Sequence, residues 1–240
     1  MKGTVALLGS LAGMAAGFAS TPALAAPPSS ELLDRMAAYA ESFEAMRNRA
    51  SFAVDGRMET IDRAGRAGDV KELTARVEGD GRDTRLLVLK YTEDGEDKTA
   101  DAEKKARDRA AERKAHPDKK RLRIPILASE QPRYVFDQVE TDRADSNRVR
   151  IAFVPKVPAD DTIEGSAWID TRTGAPISAG FKISKTPMFV DYLHFTVEFG
   201  AQTGLGAAVS KVEVDGDGGV LFFRKRFHGI ATLSDYRFVP

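Results

Sequence analysis

Any chemistry in this chain must do without thiols and with few imidazoles. Its 240 residues include no cysteine and only three histidines, His116, His194 and His228. A thiol nucleophile, a disulfide framework and a cysteine-based zinc site are therefore excluded, and three scattered histidines are poor material for a histidine metal cluster. The Gly-x-Ser-x-Gly elbow, the Walker glycine loop and His-Glu-x-x-His do not occur. Asp215 and Asp217 resemble the start of a calcium loop, but Val220 to Phe223 offer no closing acid. Their interleaved glycines read instead as a hairpin tip. Asp160, Asp161 and Glu164 could pair for general acid/base work, yet acids ahead of a strand are ordinary surface. His194 shares the parity of Met188, Val190 and Tyr192, which suits a hydrogen-bonded core histidine better than a metal ligand. Arg224-Lys225-Arg226, set among Phe222, Phe223 and Phe227, reads as a solvated strand face or as a docking patch for an acidic partner. No spacing singles out a nucleophile and its base. The expectation is a binding protein, not an enzyme, with no cofactor and no metal.

The elements that must position these residues begin after a separate leader. Lys2 precedes an apolar run from Val5 to Phe18, and Ala23-Leu24-Ala25 is a small-x-small cleavage signal. That is the anatomy of a secretory signal peptide over 1–25, and the run is too short and glycine-rich for a membrane span. The remainder, 26–240, is expected to be one exported domain, periplasmic or secreted, with no membrane span once the leader is cleaved. Charge is balanced at 36 basic and 36 acidic residues, so no global field would collect nucleic acid or an anionic surface. Without disulfides, the domain must be held by burial.

Pro27-Pro28-Ser29-Ser30 forms an extended lead in which Ser29 or Ser30 can cap a helix. Leu32, Met36, Tyr39, Phe43 and Met46 recur at helical spacing, predicting a helix over about 30–48 with one apolar stripe. From Ser51 the period becomes two. Gly79-Asp80-Gly81 marks a hairpin. Segment 93–120 breaks the pattern: apart from Gly95 and Pro117, its only non-polar residues are alanines. It predicts a charged helical insertion, helical over about 97–115, solvated or acting as a movable flap. Strands are then expected at 121–127, 133–141, 147–154, 162–170, 176–184, 188–199, 207–214, 219–228 and 230–238. Turn residues separate most of them, including Asp215 to Gly219 and His228-Gly229.

The strands carry an apolar excess. Phe189, Leu193, Phe195, Val197 and Phe199 share one parity, and Val149, Ile151, Phe153, Ile177, Phe181, Tyr134 and Phe136 add to the same inventory. A curved antiparallel sheet with that inner face must be covered. Either the interior is filled, or part of it is left as a cavity.

Phe153-Val154-Pro155-Lys156 and the run Gly165-Ser166-Ala167-Trp168-Ile169-Asp170-Thr171-Arg172-Thr173-Gly174-Ala175-Pro176 resemble the hairpin of the LolA/RseB-like periplasmic outer-membrane lipoprotein-sorting family. The order of leader, amphipathic helix, strands, helix and strands is similar as well. The resemblance implies an α+β fold: a strongly curved antiparallel sheet of about eleven strands, an unclosed β-barrel, with helices covering the concave face. It further implies that the concavity holds a lipid or the acyl chains of a lipoprotein. The residues expected to line it are Leu87, Leu89, Phe136, Phe153, Trp168, Phe181, Phe189, Leu193 and Phe195. The alternative is an envelope sensor that binds a partner protein.

Overall fold

The computed structural model describes residues 26–62, 65–81, 83–115, 122–186, 190–204, 206–220 and 223–238. The expected leader, His116 and Phe189 lie outside them. Helix α1 (Ser30–Arg47) starts where Ser29 accepts a hydrogen bond from the Leu32 amide at 3.2 Å, satisfying one of the free donors of the first turn. The chain continues through β1 (Ala50–Ile61), β2 (Ala67–Gly79), β3 (Thr84–Glu93), β4 (Glu96–Asp97) and helix α2 (Thr99–Ala115). A 3-10 turn (Gln131–Arg133) leads into β5 (Tyr134–Thr141), β6 (Arg148–Pro155), β7 (Ile163–Asp170), β8 (Pro176–Ile183) and β9 (Val190–Glu198). The short strands β10 (Ala201–Thr203) and β11 (Gly206–Ala208) precede the long β12 (Lys211–Val220) and β13 (Phe223–Phe238).

Eleven strands form one sheet in the order β4-β3-β2-β1-β13-β12-β9-β8-β7-β6-β5, and β10 and β11 pair apart from it. The end strands β4 and β5 do not meet, so the antiparallel sheet is an unclosed barrel, an α+β half-barrel as the sequence implies. At the β5 edge, Gln138 donates its amide to the Ala26 carbonyl at 2.7 Å. This lays Pro27 and Pro28 beside the edge, and proline blunts an open edge because it cannot donate.

The register sorts the two faces. One lateral row runs Ile151–Ala167–Ala179–Val197–Val212–Ala231–Gly56–Leu73–Tyr91 across nine strands. A row of opposite parity runs Glu164–Lys182–His194–Asp215–His228–Glu59. Directly opposed residues share a face, so the first face is apolar and the second is a charge ladder. Helix α1 packs on the apolar face, where Leu32, Met36, Tyr134, Phe136, Val149, Ile151, Phe153, Ile163 and Ile169 form the core.

Helix α2 packs along β3 instead. Thr99 Oγ1 accepts the Tyr91 amide at 2.9 Å at one end, and Lys114 Nζ meets Asp83 Oδ2 at 3.3 Å at the other. Its alanines leave room only for a close, shallow contact.

Three sequence expectations are corrected. Among the described residues, 122–127 form no strand; they run irregularly and then turn. Pro125 lacks a ladder donor, and Arg123 is drawn aside by Glu130 and Asp161. The Asp215 to Gly219 run is not a hairpin tip but lies inside β12, paired with His228 to Arg224. Gly216 stands opposite Phe227, and a Cβ there would lie 2.2 Å from the Phe227 ring; the glycine is needed for that ring to lie on the strand. His228-Gly229 is likewise inside β13, with Gly229 opposite Val214. The β12–β13 ladder extends to the pair Val220 and Phe223.

Gly174 fixes the seat of α1. It has φ +73°, and a Cβ added to it would fall 2.3 Å from the carbonyl carbon of Arg35 and 2.5 Å from the amide of Met36. The β7–β8 turn therefore touches the helix backbone directly. Gly174→Ala is expected to cost about 3 kcal/mol or more through left-handed strain and overlap, lowering Tm by roughly 6–12 °C for a domain of this size. A melting curve coincident with the parent's would contradict this contact.

Candidate functional site

The middle of α1 does not fill the space beneath it. Tyr39, Ala40 and Phe43 form the roof of a cavity of about 250 Å³ whose floor is Phe153, Ile163, Ala167, Ile169, Ala179, Phe181, Val197 and Phe199. The floor is hollow because the row beneath the helix reads Ala167–Ala179 in adjacent strands, where larger side chains would reach the helix. A second cavity of about 270 Å³ lies on the other side of Tyr39 and Phe43, between Met46, Ala50, Phe52, Val212, Leu233, Tyr236 and Phe238. Phe52 and Tyr236 stack there with centroids 5.0 Å apart, an arrangement made possible by a bulge at Asp235 (φ 53°) that turns Tyr236 onto the apolar face.

The few polar groups at the cavities are already engaged. The Tyr39 hydroxyl donates to the Ala207 carbonyl at 2.6 Å, and the Tyr236 hydroxyl donates to the Val209 carbonyl at 2.6 Å. Both bonds tie down the β10–β11 hairpin, whose Thr203, Ala207 and Ala208 wall the second cavity. Burial pushes each of these tyrosines up to about 12. Arg123 is the charged residue on the first cavity's rim. Its Nε bonds Asp161 Oδ2 at 3.0 Å and its Nη1 bonds Glu130 Oε1 at 3.2 Å. Those two carboxylates hold its pKa above the ordinary arginine value, so the positive charge is matched outside the cavity. What remains inside is an apolar space with no free charge, suited to hydrocarbon.

The residues expected from sequence are distributed as follows. Phe153 and Phe181 line the first cavity. Phe195 stacks on Phe181 at 5.4 Å and shares its face with Leu193. Phe136 is in the core that seats the start of α1. Leu87 stands opposite Arg76, and Leu89 is 62% exposed; neither borders a cavity under α1. Trp168 is corrected. It lies between Ala167 and Ile169, which point inward, and the Arg150 guanidinium sits over its ring at 6.0 Å on the other face. Parity alone separates Trp168 from its neighbours, and the apolar count of that strand concealed it. The roof residues Tyr39 and Phe43 were visible as part of the helical stripe, but nothing local marks which stripe residues stand over a void.

On the opposite face, His228 Nδ1 and Asp215 Oδ1 are 2.7 Å apart, beside an open polar groove of about 620 Å³. Such a pair can orient an imidazole. Among the described residues no serine or threonine hydroxyl bonds the ring.

No protein-family model matches the sequence, and no curated protein matches it significantly. Solved structures do match. A DUF1329 family protein from Desulfovibrio piger ATCC 29098 is similar at 10% identity with a TM-score of 0.41, over 89% of this chain and 94% of that one. A putative outer membrane lipoprotein-sorting protein domain from Vibrio parahaemolyticus is similar at 9% identity with a TM-score of 0.41, over 86% and 91%. A chain of the Pseudomonas aeruginosa MucA/MucB complex is similar at 15% identity with a TM-score of 0.24, over 85% and 99%.

The raised tyrosine pKa values carry a sign. Protons bound more tightly in the folded state stabilise it fully below pH 10 and lose that effect as pH climbs from 10 towards 12. Unfolding free energy is therefore expected to fall across that window. The variant combining Tyr39→Phe and Tyr236→Phe should show a shallower fall in denaturant titrations. An unchanged slope would remove these two hydroxyls as its source.

Proposed function

We propose that this protein is an exported, non-enzymatic binding protein that holds an apolar ligand, a lipid or the acyl chain of a lipoprotein, in the concavity under α1. The observation that carries this reading is the pair of apolar cavities that share Tyr39 and Phe43. Close-packed interiors do not normally leave such space, and burying hydrocarbon in it yields about 0.8 kcal/mol per methylene. The expected lining residues Phe153 and Phe181, with Phe195 behind them, would contact the chain. Carriage of lipoproteins to an outer membrane is the specific form of this activity that the family resemblance favours. Capture of a partner protein through Arg224, Lys225 and Arg226 has less support, because Arg226 Nε is already bonded to Asp217 Oδ2 at 3.2 Å.

The test is lipid extraction and native mass spectrometry after export, combined with titration of a fluorescent fatty acid. Bound lipid and saturable uptake are expected. Ala179→Trp, which fills the floor of the first cavity, should reduce uptake at least about tenfold, the cost of losing two methylene contacts, while circular dichroism stays unchanged. Uptake equal to the parent's in a folded Ala179→Trp protein would refute the site.

A further inference from the structure

We propose that the ligand carries an anionic head group, a phosphate or a similar oxyanion, and that this group binds outside the cavity, in the groove between α2 and the ends of β1, β2 and β13. The inference rests on the apolar-ligand reading and names the class of its polar end. The groove measures about 700 Å³ and is bordered by Ser51, Arg76, Arg237, Phe238 and, from α2, Ala110 and Lys114. Its acids are occupied. Glu78 Oε2 accepts Arg85 Nη2 at 2.9 Å, Asp83 Oδ2 faces Lys114 Nζ at 3.3 Å, and Asp80 Oδ1 accepts the Asp83 amide at 2.8 Å.

Arg76 and Arg237 differ from the other bases there: among the described residues neither is paired with a carboxylate. Arg237 stands directly opposite Ser51, and Arg76 directly opposite Ala53 two residues along the same strand, so both project from one face of β1's neighbours. Arg76, Arg237 and the Ser51 hydroxyl border the same groove, and guanidinium groups with a hydroxyl can hold an oxyanion through forked hydrogen bonds. Ser51 Oγ accepts the Gly79 amide at 3.3 Å, which leaves its own proton available to donate.

The groove also adjoins the apolar site. Phe238 borders both the groove and the second cavity, and Ala50, which lines that cavity, is the residue before Ser51. A chain leaving the cavity past Ala50 and Phe238 would deliver its polar end to Ser51 and Arg237. The structure therefore sets an apolar chamber and a cationic groove end to end, as an anionic amphiphile requires.

Calorimetric titrations of the exported protein with dodecyl phosphate, dodecyl maltoside and inorganic phosphate test this. Dodecyl phosphate is expected to bind more tightly than dodecyl maltoside, by about tenfold for each arginine engaged. The variant Arg76→Gln with Arg237→Gln should lose that preference and keep its affinity for dodecyl maltoside. The conservative pair Arg76→Lys with Arg237→Lys should retain part of it. Inorganic phosphate should bind far more weakly than dodecyl phosphate; equal affinity would make the groove a free-anion site and overturn the head-group assignment. An undiminished preference in the glutamine variant would overturn it as well. Failure of both detergents to bind the parent protein would instead refute the cavity reading on which this rests.

Discussion

The contact between α1 and the apolar face of the sheet is the constraint on which the interior depends. Eleven strands at about 4.8 Å spacing make a sheet nearly 50 Å across before it curls. One 18-residue helix is only about 27 Å long. It lies across the strands from Tyr134 and Phe136 at its first turns to Phe52 and Phe238 near its last. A chord of that size cannot cover the whole concavity. The sheet curls to meet it, the β10–β11 hairpin covers another part, and two hollows remain on either side of Tyr39 and Phe43.

The register then determines where those hollows lie. Because every ladder is antiparallel and opposed residues share a face, the row from Ile151 to Tyr91 is apolar across nine strands. Its Ala167 and Ala179 fall beneath the helix, and its larger members Ile151, Leu73 and Tyr91 fall towards the ends. Glycines serve the same packing. Gly174 lets a turn touch the helix backbone, and Gly216 lets the Phe227 ring lie flat on β12. The reverse face answers with alternating charge, in which Glu164 and Lys182 pair at 2.9 Å. A half-barrel of this kind has two chemically distinct surfaces, and the binding reading draws on both: hydrocarbon inside, an oxyanion where the strand ends bring the two faces together.

Polar groups near the cavities act as ties. The Tyr39 and Tyr236 hydroxyls hold the hairpin by its carbonyls, and Glu130 and Asp161 hold Arg123 at the rim. Each satisfies a group whose desolvation would otherwise cost stability, and each leaves the apolar space free of unmatched charge. An aqueous or charged ligand would gain nothing there, whereas an acyl chain gains with each methylene buried.

The helix stripe, the charged insertion and most of the strands were legible in the sequence, because helical and strand periods of 3.6 and 2 are local properties of the chain. So were the apolar excess and the resemblance to a lipoprotein-sorting hairpin. The sequence by itself therefore determined an α+β sheet protein with too much apolar surface for one helix to cover. It did not determine which side of the sheet Trp168 faces, that Gly216 makes room for Phe227, that Arg76, Arg237 and Ser51 border one groove, or that Tyr39 roofs a void. Each of these depends on which residue of a distant strand stands opposite. That pairing is fixed by register between segments far apart in the chain, which only the tertiary structure decides.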